Sequence, residues 1–204
     1  SNGIITSSAM LNPGDNVTIT MTPNTNYDLD VLTVDGISVT NTLNYTFNNV
    51  VSDHTISATY KLKSYLITTI SDSNGTITSS FQTTHGSNAT ITMTPNIGFE
   101  INELKVDGIV VSPALSYTLS NIITPHSITI TYKLKTFTIT TSSDGNGSIS
   151  ASSLVNYGTD TTIIMTPQSG YILDVLILDG VEIADTLNYT ITNITSNHTM
   201  SVTY

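Results

Sequence analysis

The chain reads as an all-β protein made of three tandem copies of one 72-residue unit. Three observations predict this. The first is a repeat: Met-Thr-Pro starts at Met21, Met93 and Met165, and Asp-Gly at Asp35, Asp107 and Asp179. Tyr-Thr recurs at Tyr45, Tyr117 and Tyr189, a histidine at His54, His126 and His198, and a tyrosine at Tyr60, Tyr132 and Tyr204; the spacing is 72 throughout. A long period kept without insertion marks an array of supersecondary units. The second is alternation, as in Ala89, Ile91 and Met93 interleaved with Thr90, Thr92 and Thr94, which is the period of a half-buried strand. The third is that no segment sustains a helical period, while Ser (25) and Thr (38) fill positions where helix formers would have to stand.

The elements follow in chain order. Tyr65–Ser71 is β-branched and alternates loosely. Asn74-Gly75 follows and predicts a hairpin into residues 76–79, since Asn and Gly tolerate positive φ; the third copy has Asp144-Gly145-Asn146-Gly147 there. The Thr-faced strand Ala89–Met93 comes next and stops at its proline. The Asn/Gly/Gly alternation at Asn26, Gly98 and Gly170 predicts a left-handed backbone position. In the next strand the apolar phase switches from Phe99 and Ile101 to Leu104 and Val106, which predicts a β-bulge. Asp107-Gly108 turns a second hairpin into Ile109–Val111. Short strands at Tyr117–Leu119 and Ile128–Tyr132 complete six or seven strands per unit, with a short helical turn near Pro113–Leu115 as an alternative for that stretch.

Taking the unit as Ser64–Lys135, the modules are 1–63, 64–135 and 136–204. The first lacks the nine residues corresponding to Ser64–Asp72, its first strand, and the third lacks three at its end. The array is expected to continue at both ends. Between units, Tyr60-Lys61-Leu62-Lys63-Ser64-Tyr65 runs from strand to strand without Gly or Pro, unlike a flexible linker. A short stiff hinge and an elongated rod of modules are expected, each about 30 Å across by compact-domain scaling. A unit this small is marginal alone, so contact with neighbouring repeats of the same or identical chains is expected to add stability.

Composition excludes several classes. Lys+Arg is 5, all lysine, against Asp+Glu 15, a formal charge of −10. Such a chain has no footprint for nucleic acid and is repelled by anionic membranes. No apolar run is long enough to insert in a membrane in this stretch. There is no cysteine, hence no disulfide, thiolate metal site or thiol nucleophile.

The pattern Tyr27-x-Leu29-Asp30-Val31-Leu32-x-Val34-Asp35-Gly36, then Tyr45-Thr46-Phe47-x-Asn49-Val50, then His54-Thr55-Ile56-Ser57-Ala58-Thr59-Tyr60 resembles the divergent internalin-type B-repeat family. The resemblance covers all three units. It implies roughly 70-residue β modules repeated in tandem in microbial surface and secreted proteins, and a β-grasp-like or small sandwich fold. Where many members carry Trp, Leu32, Leu104 and Leu176 stand. The family supplies no catalytic residues to carry over, and the residues themselves lead to no expected cofactor and no expected metal beyond the calcium candidates below.

The recurring histidines suit a hydrogen bond at the start of the last strand rather than a shared metal. Asp28, Asp30 and Asp35 are candidate calcium ligands, with Glu100, Glu103, Asp107, Asp174 and Asp179 in the other copies, although Asp before Gly is also plain hairpin chemistry. No G-x-S-x-G elbow is present. Sequons stand at Asn16, Asn44, Asn74, Asn88, Asn146, Asn188, Asn193 and Asn197 and are candidate glycosylation sites. The leading functional expectation is a non-catalytic extracellular stalk or spacer of a cell-surface protein. The alternatives are a self-assembling filament or sheath subunit using strand addition between chains, motivated by the absent first strand, and an adhesin whose Thr- and Tyr-rich strands bind a surface glycan or protein.

Overall fold

The computed structural model describes residues 1–6 and 9–204. It is all-β, with no helix among the described residues. The chain divides into two compact units. One comprises Ser1–Thr68, Ser79–Ile91 and Tyr117–Ser127, the other Thr69–Thr78, Thr92–Ser116 and Ile128–Tyr204. The middle repeat contributes segments to each.

The first repeat contains β1 (Gly3–Ile5), β2 (Val17–Pro23), β3 (Tyr27–Val34), β4 (Ile37–Val39), β5 (Asn44–Phe47) and β6 (Ile56–Leu62). They form two three-stranded sheets, β1-β2-β5 and β4-β3-β6. Ile19 and Met21 from one sheet meet Leu32 from the other in its core. The expected bulge is present, as the β3–β6 register shifts between Leu29 and Val31.

The middle repeat contains β7 (Ser64–Ser71), β8 (Gly75–Ile77), β9 (Phe81–Thr84), β10 (Ala89–Pro95), β11 (Phe99–Val106), β12 (Ile109–Val111), β13 (Ser116–Leu119) and β14 (His126–Leu134). β7 pairs antiparallel with β9, and β10 with β8. β11 pairs with β12 across Asp107-Gly108 and with β14, again with a register shift between Ile101 and Glu103. Asp107 and Gly108 sit at φ 51° and 80°, the geometry a two-residue primed turn requires.

The third repeat gives the most complete view of the module. β15 (Thr136–Ser143), β17 (Ser153–Asn156), β19 (Val175–Leu178), β20 (Val181–Ile183) and β22 (His198–Thr203) form one sheet in the order β17-β15-β22-β19-β20. β16 (Gly147–Ile149), β18 (Thr161–Pro167) and β21 (Asn188–Ile191) form the other, in the order β16-β18-β21. Ile139, Leu176, Met200 and Val202 of the first sheet pack against Ile163, Met165 and Ile191 of the second. This is a two-sheet sandwich, so of the two expected folds the β-grasp, which needs a helix, does not apply. β15 runs parallel to β22 and antiparallel to the other neighbour, β17.

Three expectations are corrected. The complete copies have eight strands, not six or seven. The additional one is β9 (Phe81-Gln82-Thr83-Thr84) or β17 (Ser153-Leu154-Val155-Asn156), each held in place by its partner strand, β7 or β15. Residues 113–115 form no helical turn. Asn74-Gly75 does not close a hairpin: β8 pairs with β10, and β16 with β18, across the sandwich from the strand that precedes them. Neither Asn74 nor Gly75 has positive φ. The Asn/Gly/Gly position is left-handed as expected, at φ 76°, 82° and 91° for Asn26, Gly98 and Gly170.

The threonine faces are paired across strands. Thr18 and Thr46 hydroxyls lie 2.8 Å apart, Thr90 and Thr118 3.0 Å, and Thr162 and Thr190 2.8 Å. Such exposed cross-strand pairs contribute a few tenths of a kcal/mol each, up to about 1. They also satisfy the hydroxyls without burying any of them.

Candidate functional site

Three arrangements recur from copy to copy, and one is peculiar to the first repeat. The first recurrent arrangement joins the Asp of the Asp-Gly turn to the histidine that precedes or opens the last strand. His54 Nδ1 lies 2.8 Å from Asp35 Oδ2, and His198 Nδ1 2.6 Å from Asp179 Oδ2. The other carboxylate oxygen accepts the backbone N–H of the next residue, Thr55 at 2.7 Å and Thr199 at 2.8 Å. Both carboxyls are held below the ordinary carboxylate range, first by that backbone N–H and then by the histidine. The turn aspartates therefore pin the last strand to the hairpin, a role the sequence reading gave to hairpin chemistry alone. An Asp–His pair is also part of a hydrolytic triad, yet here each carboxylate is shared with a strand-start amide, which fits a structural clasp.

This clasp has a pH signature. A carboxyl whose folded pKa is depressed stabilises the fold above its unfolded value, about 3.9, and loses that contribution as pH falls through the folded pKa. The chain's midpoint of thermal unfolding is therefore expected to fall from about pH 4 downwards. Asp179→Asn and Asp35→Asn should lower it at neutral pH and flatten the acid slope. Carboxyl resonances of Asp35 and Asp179 that titrate at the ordinary value would show the clasp to be absent in solution.

The second arrangement is a tyrosine laid over a glycine. The Tyr60, Tyr132 and Tyr204 hydroxyls donate to the carbonyls of Ile4 (2.8 Å), Thr76 (2.7 Å) and Ser148 (2.6 Å). Their rings cover Gly3, Gly75 and Gly147, where an added Cβ would lie within 2.4–2.6 Å of ring carbons. Burial pushes all three phenols upward. In the second and third copies an aspartate ties this corner down. Asp72 accepts the N–H groups of Asn74 and Tyr132, and Asp144 those of Asn146 and Tyr204.

The third is the junction between copies. β6 ends at Leu62 and β7 begins at Ser64; β14 ends at Leu134 and β15 begins at Thr136. The single residue between them is clipped on both sides. Lys63 N–H donates to Asn26 C=O at 2.9 Å, and its own carbonyl accepts His85 N–H at 2.8 Å. Lys135 repeats this with Gly98 C=O at 2.8 Å and Tyr157 N–H at 2.9 Å. The Tyr157 ring covers Gly98, where a Cβ would approach to 2.5 Å. His85 takes the corresponding place at the other junction, its Nδ1 3.2 Å from the Tyr65 hydroxyl. Each junction residue thus bonds backward to one copy and forward to the next.

The first repeat also carries a groove of about 830 Å³ lined by Ile5, Val17, Ile19, Phe47, Val50 and Ile56, with Asp53 and His54 at its rim.

The calcium candidates are not gathered into one site. Asp30 pairs with Lys61 at 3.1 Å and Asp35 is engaged by His54 and Thr55, while Asp28 stands opposite Lys61 in the β3–β6 ladder. Glu100 lies 3.3 Å from Lys133, and Glu103 also pairs with Lys105. Among the described residues no group of three or more metal-ligating side chains converges. Of the sequons, Asn16, Asn44, Asn88, Asn188, Asn193 and Asn197 are exposed, whereas Asn74 and Asn146 are half-buried at the Tyr–Gly corner. The Asn16, Asn88 and Asn197 side-chain oxygens accept backbone N–H groups of Asn49, Asn121 and Thr138, and the Asn146 amide donates to Asp144.

No curated protein and no solved structure is significantly similar to the chain. A family model, however, matches three times in succession, over residues 1–64, 65–136 and 137–204, so that its boundaries fall within two residues of Lys63 and Lys135. With its sequence covered from end to end in three copies, the chain belongs to the divergent InlB B-repeat domain family.

Proposed function

We propose that this chain is a spacer: a stalk segment of an extracellular, microbial cell-surface protein, its modules being 1–63, 64–135 and 136–204, and its task to hold other parts of that protein at a distance. Membership of a repeat family of surface proteins supports a structural repeat region. The observation that carries the spacer reading is the clipped junction. Lys63 and Lys135 leave no slack between copies, and each makes one backbone hydrogen bond to either side. A linker meant to let modules swing would be longer and Gly/Ser-rich. The acidic, hydroxyl-rich surface keeps such a segment soluble without a ligand. On this reading the chemistry is left to domains elsewhere, and the chain itself performs no catalysis.

Small-angle scattering of the chain should give a maximum dimension near three module lengths, about 90 Å. Insertion of Gly-Ser-Gly after Lys135 should loosen the junction, and the second and third modules should then align independently in residual dipolar couplings. A compact scattering profile, or alignment that the insertion leaves unchanged, would sink the spacer reading.

A further inference from the structure

We propose that a groove beside the first half of β11, in the middle repeat, takes up an extended peptide of another protein as an added strand, one with apolar side chains at alternate positions and a carboxylate at its C-terminal end. The groove has a volume of about 740 Å³, and its residues all belong to the second compact unit. β11 pairs with β14 from Phe99 to Val106. On its other side β12 covers Leu104–Val106 only. The edge from Phe99 to Glu103 is therefore left without a strand. Phe99 and Ile101 of that edge line the groove, together with Pro95, Ile97, Pro113 and Leu115.

The sister repeats show what sets the middle one apart. In the first, Asn41 bonds the corresponding edge as a peptide backbone would. Its Oδ1 accepts the Leu32 N–H at 3.1 Å, and its Nδ2 donates to the Asp30 carbonyl at 2.7 Å. The middle repeat has Pro113 at that position, which has no side-chain amide, so the carbonyl of Asn102, the counterpart of Asp30, receives no such clip. The third repeat has Asp185 there, a carboxylate that would repel an acidic guest. The same contrast extends to the neighbouring positions. Thr25 and Thr42 of the first repeat, and Ser169 and Thr186 of the third, become Ile97 and Ala114 in the middle one. Ile97 is 88 % exposed and Leu115 63 %. An uncovered strand edge beside exposed apolar side chains is what strand addition uses.

Charge selects the occupant. The charged residues lining the groove are Glu100 and Lys135. Glu100 is engaged by Lys133 at 3.3 Å, whereas Lys135 makes no ion pair among the described residues. The groove thus presents a spare positive charge on a chain of net charge −10. Lys135 stands at the Phe99 end of the open edge, since its N–H donates to Gly98 C=O at 2.8 Å. A peptide running antiparallel to β11, as β12 does, brings its C-terminal end to that lysine. The lining is mostly aliphatic, and the Tyr157 ring is laid over Gly98, which suits alternate peptide side chains better than a sugar ring. Main-chain pairing supplies affinity and the side chains supply selectivity. This inference does not depend on the spacer reading.

The experiment adds the synthetic peptide acetyl-Thr-Val-Thr-Ile-Thr-Asp-amide to the full chain and follows amide resonances. Saturable shifts are expected at residues 95–104, 113–115, 135 and 157, with the amides of residues 99–103 gaining protection from hydrogen exchange. Pro113→Asn, which restores the clip of the first repeat, should weaken binding about tenfold while leaving the rest of the amide spectrum in place. Lys135→Glu should weaken it about threefold, as befits an exposed ion pair, and should reverse the preference between this peptide and one ending in Lys. No shifts at millimolar peptide, shifts outside these residues, or equal binding by the Pro113→Asn chain would overturn the proposal. So would the same resonances moving with cellohexaose instead of the peptide, or with chain concentration alone, since a glycan or a second copy would then be the occupant.

Discussion

Gly75→Val is expected to destabilise the chain by roughly 3 kcal/mol or more. The reason is not backbone conformation, because Gly75 has no positive φ. It is the space above it: a Cβ would lie 2.4 Å from the Tyr132 ring and 2.8 Å from the Thr94 carbonyl oxygen. Neither can yield cheaply. The tyrosine hydroxyl is tied to Thr76 C=O and its backbone N–H to Asp72, while the Thr94 carbonyl belongs to β10, paired with β8 at this point. Gly108→Ala is the contrasting case, with φ +80° and nothing within 4 Å of the added atom, so only left-handed strain of about 1 kcal/mol applies. The two are separated by a double-mutant cycle. Gly75→Ala combined with Tyr132→Ala should cost less than the sum of the single changes, because the second removes the clash the first creates. Urea unfolding checks all five variants; a Gly75→Val midpoint equal to that of the unmodified chain would mean that the corner yields freely.

The same glycine shows where sequence reasoning reached its limit. Asn74-Gly75 looks like a hairpin turn because that is the commonest local reason for the dipeptide. The actual reason is a tyrosine in the last strand of the repeat, which no window around Gly75 contains. The signal was nevertheless present, since Gly3, Gly75 and Gly147 keep the repeat frame with Tyr60, Tyr132 and Tyr204. Local features were legible. The Thr/apolar alternation put Ile91 and Met93 in the core, the phase switch located the bulge, and Asp107-Gly108 gave its turn. Features made by pairing were not. β9 and β17 lack alternation of their own, and the parallel contact of β15 with β22 joins the two ends of one repeat. At the site, the histidine was correctly placed at a strand-start hydrogen bond. Its partner was missed because Asp before Gly already had a sufficient explanation.

Ile139→Ala is expected to cost roughly 3–4 kcal/mol, within the range for deleting a fully buried branched side chain. Ile139 occupies the point at which β15 changes partners, opposite Ser153 on one side and His198 on the other. Its side chain is 0 % exposed among Ile163, Met165, Leu176 and Met200. Strands paired on both sides cannot shift into the vacated space without breaking a ladder, so the cavity term should be close to its full size. Ile164→Ala, one residue from Ile163 but 53 % exposed, should fall within about 0.5 kcal/mol of the unmodified chain. Because a repeat array need not unfold in one step, the readout is residue-resolved hydrogen exchange. Protection should collapse first along β15, β17 and β22 in the Ile139→Ala variant. Ile67, the same position one copy earlier and equally buried, should respond alike. If Ile139→Ala and Ile164→Ala have equal effects, the sandwich core is not where the third repeat's stability resides.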